Sequence, residues 1–107
     1  MNKSEIKAYV HRNRIADVVS ALSSAGFRNL CVVDVQGLLH ALDKKEQQYS
    51  VEIGQKVITE VKLELVCDSE SQTAEAVTLI REHGKTGQSE AGWIYISDIK
   101  ASIEITN

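Results

Sequence analysis

A single α+β domain built from two β-α-β halves is the fold class this sequence predicts, and three observations predict it. Apolar and polar residues alternate in short runs that suit strands with one face in a core. Between those runs lie two stretches whose apolar residues recur at helical spacing. The same β-α-β order stands on both sides of a long, mostly polar connection, residues 36–60. The chain has 107 residues, 43% hydrophobic and 25% charged, which is ordinary composition for one globular domain spanning residues 1–107.

In the first run, Ile6, Ala8 and Val10 alternate with Lys7, Tyr9 and His11, the period-two pattern of a half-buried strand. The period then changes: Ile15, Val18, Val19 and Leu22 share one helical face. Asn13 is placed to cap that helix and Asp17 to meet the positive end of its dipole. Gly26 stands where a helix commonly ends in a left-handed residue. A second strand, rich in β-branched residues, is predicted from Asn29 to Val35. After the long connection, Val61, Leu63, Leu65 and Cys67 alternate with Lys62, Glu64 and Val66 as a third strand. Ser69 and Gln72 fit the S-x-x-Q capping box of a second helix, with Thr73, Ala76, Val77 and Ile80 facing inward and Gly84 at its end. A polar loop, Lys85 to Gly92, leads to a final strand near Trp93 to Ser97. Weak alternation at Ile99, Ile103 and Ile105 suits a short further edge strand.

This order is the ferredoxin-like βαββαβ arrangement, a four-stranded antiparallel sheet with both helices on one face. Ile6, Ala8, Val10, Val61, Leu63, Leu65, Ile94 and Ile96 belong to the helix-covered face. Lys7, Tyr9, His11, Lys62, Glu64, Val66, Trp93 and Tyr95 belong to the other. That second face is too apolar to be wholly solvated and too polar for a core, so burial against copies of itself is its simplest fate.

Composition excludes several function classes. A net charge of −3 offers no general field for nucleic acid. No run approaches the ~20 apolar residues of a membrane span, and the charged start, Met1 to Arg14, lacks a secretory h-region. The expected setting is the cytoplasm, where Cys31 and Cys67 read as a pair of buried thiols. No nucleophile elbow or acid–base pair is present, so no catalytic residue is assigned. His11, His40 and His83 lack metal-ligand spacing, and no metal is assigned. The loop Gly84 to Gly92, with Gly87 and Thr86 inside it, can turn backbone N–H groups toward an anion. It does not fit the Walker pattern, and a glycine-bearing turn is the plainer reading of the spacing.

Taken in order, these segments resemble the P-II signal-transduction proteins over nearly the whole chain. The resemblance rests on a helix ending Ala25-Gly26 and a strand ending Val33-Asp34-Val35-Gln36-Gly37. It continues through Val61-Lys62-Leu63-Glu64-Leu65-Val66, Thr86-Gly87, Gly92 and the closing Ile94-Tyr95-Ile96. The connection of about residues 37–60 matches the family's T-loop in length. The resemblance implies a homotrimer with its sheets facing inward, and a ligand site in each cleft between subunits. Gly37, Lys62, Glu64, Thr86, Gly87 and Gly92 match that site, although Lys62 could serve the inward sheet face instead. His40, Lys44, Lys45 and Tyr49 fall in the loop that would meet a partner, a membrane transporter or a metabolic enzyme.

The departures from the family pattern shape the expected ligand. Trp93 stands for a basic residue, Glu90 for the middle glycine of the loop and Ala91 for its aspartate. The C-terminal segment reads Ile103-Glu104-Ile105-Thr106, where the family supplies two arginines to phosphates, and Leu38-Leu39-His40-Ala41 replaces the T-loop's FGRQ. The position of the modified loop tyrosine is Ile53, so uridylylation is not expected. Fewer cations disfavour a triphosphate. The implied ligand is an adenine nucleotide, AMP or ADP rather than ATP, or another small anion. The expected function is a small-ligand-sensing regulator that signals through a mobile loop, not an enzyme. The alternative is a trimeric cation-binding protein of the CutA-like kind, which shares the fold.

Overall fold

The computed structural model describes residues 3–34 and 60–106. Gly37, His40, Lys44, Lys45, Tyr49 and the rest of the long connection lie outside the described residues. The element order is β1 (Ser4–His11), α1 (Ile15–Ser24), β2 (Cys31–Val33), β3 (Glu60–Cys67), α2 (Glu70–His83) and β4 (Gly92–Asp98). The four strands form one sheet in the order β2-β3-β1-β4, every pairing antiparallel. This is the ferredoxin-like arrangement, with β1 and β3 at its centre.

Register explains why the alternation was legible. Ile6 lies opposite Leu65 and Ile96, and Ala8 opposite Leu63 and Ile94, so each row of apolar residues runs across the strands on one face. Ile6, Ala8, Leu63 and Cys67 are fully buried there against Val18 and Leu22 of α1 and Ala76 and Ile80 of α2. A fully buried aliphatic side chain contributes about 1.5–3 kcal/mol relative to exposure, so this layer holds the fold. Phe27 and Leu30 close the core beside α1.

The helix ends follow local chemistry. Gly26, at φ +96°, completes a Schellman turn: its N–H donates to the Ser23 carbonyl, and the Phe27 N–H donates to that of Leu22. At the start of α2 the Ser69 hydroxyl accepts from the Gln72 N–H at 3.2 Å. The Gln72 side chain reaches one residue further back than a standard capping box, accepting from the Asp68 N–H at 2.8 Å.

Five expectations are corrected. Asn13 does not cap α1: the N-cap is Arg14, without a side-chain cap, and the Asn13 N–H donates to His11 Nδ1. Arg14 is held instead by the His83 carbonyl and Asp17. Strand β2 is shorter than the run Asn29 to Val35: among the described residues only Cys31–Val33 pair with β3, and Asn29, Leu30 and Asp34 stay outside the ladder, while Val35 lies outside the described residues. Ile96 is 52% exposed, since the helices cover the central strands and not the end of the edge strand. No strand forms at residues 99–106; Ile99 is tied by its N–H to the Lys3 carbonyl, and Ile103 and Ile105 stand exposed. Cys31 is exposed on the uncovered face and only Cys67 is buried. Burial pushes the Cys67 thiol pKa up.

Candidate functional site

Two features are candidates for function: a groove at the Gly92 end of the sheet, and the sheet face that neither described helix covers. The groove, of about 1010 Å³, runs between the C-terminal half of α2, the loop 85–91 and β4. Val77, Ile80, Ile94 and Ile96 give it apolar walls, and Arg81 and Lys85 bring cations to it, with Glu82 the acidic group beside them.

Glycine is required where loop and sheet meet. Gly92 has φ +153°, and a Cβ there would stand 2.1 Å from the Tyr9 carbonyl oxygen, so β4 can approach β1 only without a side chain. Gly87, at φ +86°, has open space around it and serves the loop's turn by its backbone conformation alone. Beside them Thr86 Oγ1 accepts from the Gln88 N–H at 3.4 Å. Trp93 is 55% exposed, and its indole N–H donates to Glu90 Oε1 at 2.6 Å, which ties the ring to the loop.

Of the residues singled out in the sequence, Thr86, Gly87 and Gly92 come together in this groove. Lys62 and Glu64 do not join them within one protomer. They sit side by side on the uncovered face of β3, their ion pair 3.0 Å long, and Glu64 raises the Lys62 ammonium pKa by its hydrogen bond and its charge. Tyr9 links the two regions: it lies opposite Lys62 on one side and Trp93 on the other, and also lines the groove.

The uncovered face carries Tyr9, Val66, Trp93 and Tyr95, each 36–56% exposed in the single chain. Tyr9 and Tyr95 meet edge to face, ring centroids 6.0 Å apart. Around them run the Lys7–Glu5 and Lys62–Glu64 pairs. Among the described residues no group of three or more His, Cys, Asp or Glu side chains gathers to hold a metal ion, and no helix is long and apolar enough to cross a membrane.

The family model for nitrogen regulatory protein P-II matches residues 3–107. The chain belongs to the P-II family. It is 30% identical over 97 residues to nitrogen regulatory protein P-II 1 of Methanothermobacter thermautotrophicus, covering 89% of this chain and 82% of that one. It is 27% identical over 101 residues to the P-II protein of Porphyra purpurea, covering 94% and 89%. The crystal structure of Arabidopsis thaliana PII bound to citrate superposes with a TM-score of 0.63 at 26% identity, covering 89% of this chain and 75% of that one. P-II proteins are regulatory proteins.

Against this P-II frame, sequence reasoning had passed over two groove residues. Arg81 was not singled out, and Lys85 figured only as the start of a polar loop.

Proposed function

We propose that this P-II protein is a cytoplasmic, homotrimeric sensor of a small anionic ligand, and that it signals to a membrane transporter or metabolic enzyme. Gly37, Lys62, Glu64, Thr86, Gly87 and Gly92 would form the ligand cleft between subunits. The loop of about residues 37–60, with His40, Lys44, Lys45 and Tyr49, would present the bound state to the partner. The observation that carries this reading is the family match across residues 3–107. The groove supports it by gathering Thr86, Gly87 and Gly92. The aromatic face supports the assembly, because a patch of this kind is characteristic of an interface. The citrate held by the Arabidopsis relative is itself a small anion. The same family match favours the regulator over the cation-binding alternative.

Ligand choice follows from charge. Trp93, Glu104 and Thr106 stand where the P-II pattern supplies cations to phosphates, and each lost charge-assisted hydrogen bond removes about 1.5–3 kcal/mol. Three such losses weaken a triphosphate by several orders of magnitude. Titration calorimetry with AMP, ADP and magnesium-ATP tests this. The expected order has AMP or ADP ahead of ATP; micromolar or tighter ATP binding overturns the charge argument.

A further inference from the structure

We propose that Arg12 and Arg14, in the turn that follows β1, are positioning residues that couple the groove to the end of β2. The turn is closed by two hydrogen bonds: the Arg14 N–H donates to the His11 carbonyl at 2.8 Å, and the Asn13 N–H donates to His11 Nδ1 at 3.1 Å. So tight a turn leaves its residues little independent motion, and its two arginines move together. Arg14 reaches α2: its Nε–H donates to the His83 carbonyl at 3.1 Å, while its Nη1 pairs with Asp17 at 3.1 Å. His83 is the last residue of α2, and Gly84, Lys85, Thr86 and Gly87, which follow it, line the groove. Arg12 reaches the end of β2: its guanidinium donates to both carboxylate oxygens of Asp34, one bond 2.8 Å long.

These contacts make one continuous route, from the groove through the His83 carbonyl, Arg14, the closed turn and Arg12 to Asp34. The turn also meets the far side of the long connection. Asp34 stands just before that connection, and Glu60, its last residue, is paired with His11. An isolated exposed ion pair does little, but a bidentate arginine–carboxylate pair fixes direction as well as distance. At the other end of the route, a carbonyl in the last turn of a helix lacks an intrahelical partner, and the Arg14 N–H supplies one. A ligand that displaces the loop after His83 therefore moves the acceptor on which Arg14 is set, and with it the turn that holds Asp34. Coupling between two sites is reciprocal, so loosening Asp34 alters the groove's affinity by the same factor.

This inference rests on the ligand reading proposed above, and the test separates the two. Its first arm needs no ligand and follows the backbone amide resonance of Gly87. Asp34→Asn should shift that resonance, and Arg12→Gln should reproduce the shift. Asp34→Asn made together with Arg14→Lys should add no shift to that of Arg14→Lys alone, because the lysine keeps a cation for Asp17 but has no Nε–H for His83. An unmoved Gly87 overturns the coupling, and so does a shift that survives in the Arg14→Lys background. Lys3→Gln, which breaks the exposed Lys3–Asp68 pair at the other end of the sheet, should leave Gly87 in place. A shift there equal to that of Asp34→Asn also overturns the coupling. The second arm is calorimetry with AMP, whose dissociation constant Arg12→Gln should change by about fivefold or more and Lys3→Gln should not. An AMP affinity that Arg12→Gln leaves unmoved overturns the coupling and leaves the ligand reading standing. No AMP binding to the unaltered chain overturns the ligand reading, and the Gly87 resonance then decides the coupling by itself.

Discussion

The two faces of one sheet teach different things about this chain. On the covered face, Ile6, Ala8, Leu63 and Leu65 are closed off by two helices, and among the described residues nothing polar is buried with them. On the other, the residues between them in sequence, Tyr9, Lys62, Glu64 and Val66, combine exposed aromatic and aliphatic surface with paired charges. The same strands thus carry two codes at alternate positions. The first specifies the protomer. Among the described residues nothing packs over the second, and its chemistry is that of an interface, where charges are paired and aromatic rings supply area.

The largest expected effect breaks this comparison along one strand. Leu63→Ala, at a fully buried position, should cost about 2–5 kcal/mol and lower the urea midpoint at every protein concentration. Val66→Ala, three residues away on the open face, should act mainly by making the midpoint depend more steeply on concentration, since it weakens association rather than the protomer. Equal, concentration-independent losses would show that the faces do not differ in this way. A smaller effect sharpens the covered side: Ser69→Ala removes the hydroxyl that accepts from Gln72 and should cost about 1 kcal/mol by the same unfolding measurement.

How much was legible in the sequence follows the same division. Alternation in β1 and β3 was clear because both strands are central and the helices cover their full length. Gly26 and Ser69 were legible because their roles depend on a few adjacent backbone groups. Legibility failed where an outcome depends on the reach of another element. Ile96 has the right parity for the core, yet it lies beyond the helices' footprint. Asn13 has cap chemistry, but the turn after β1 spends its N–H on His11 and starts the helix later. The bidentate Arg12–Asp34 pair joins residues 22 apart and has no local signature. It raises the Arg12 pKa, chiefly by hydrogen bonding, on a guanidinium that is charged at any working pH. At the site, Thr86, Gly87 and Gly92 were legible through the family pattern, and Gly92 is also demanded because a Cβ there would stand 2.1 Å from the Tyr9 carbonyl oxygen. The cations Arg81 and Lys85 were not, because only the packing of α2 beside β4 turns a helix end and a loop into one groove.

The measurement that tests the central claim most directly is the mass of the protein in dilute solution, by light scattering at micromolar concentration, beside that of Tyr95→Asp. If the open face is an interface, the unaltered chain has three times its 11.8 kDa mass. Tyr95→Asp, which puts a charge among the exposed rings, then shifts it toward the single chain while its circular dichroism stays that of a folded protomer. A single-chain mass for the unaltered protein would contradict the account.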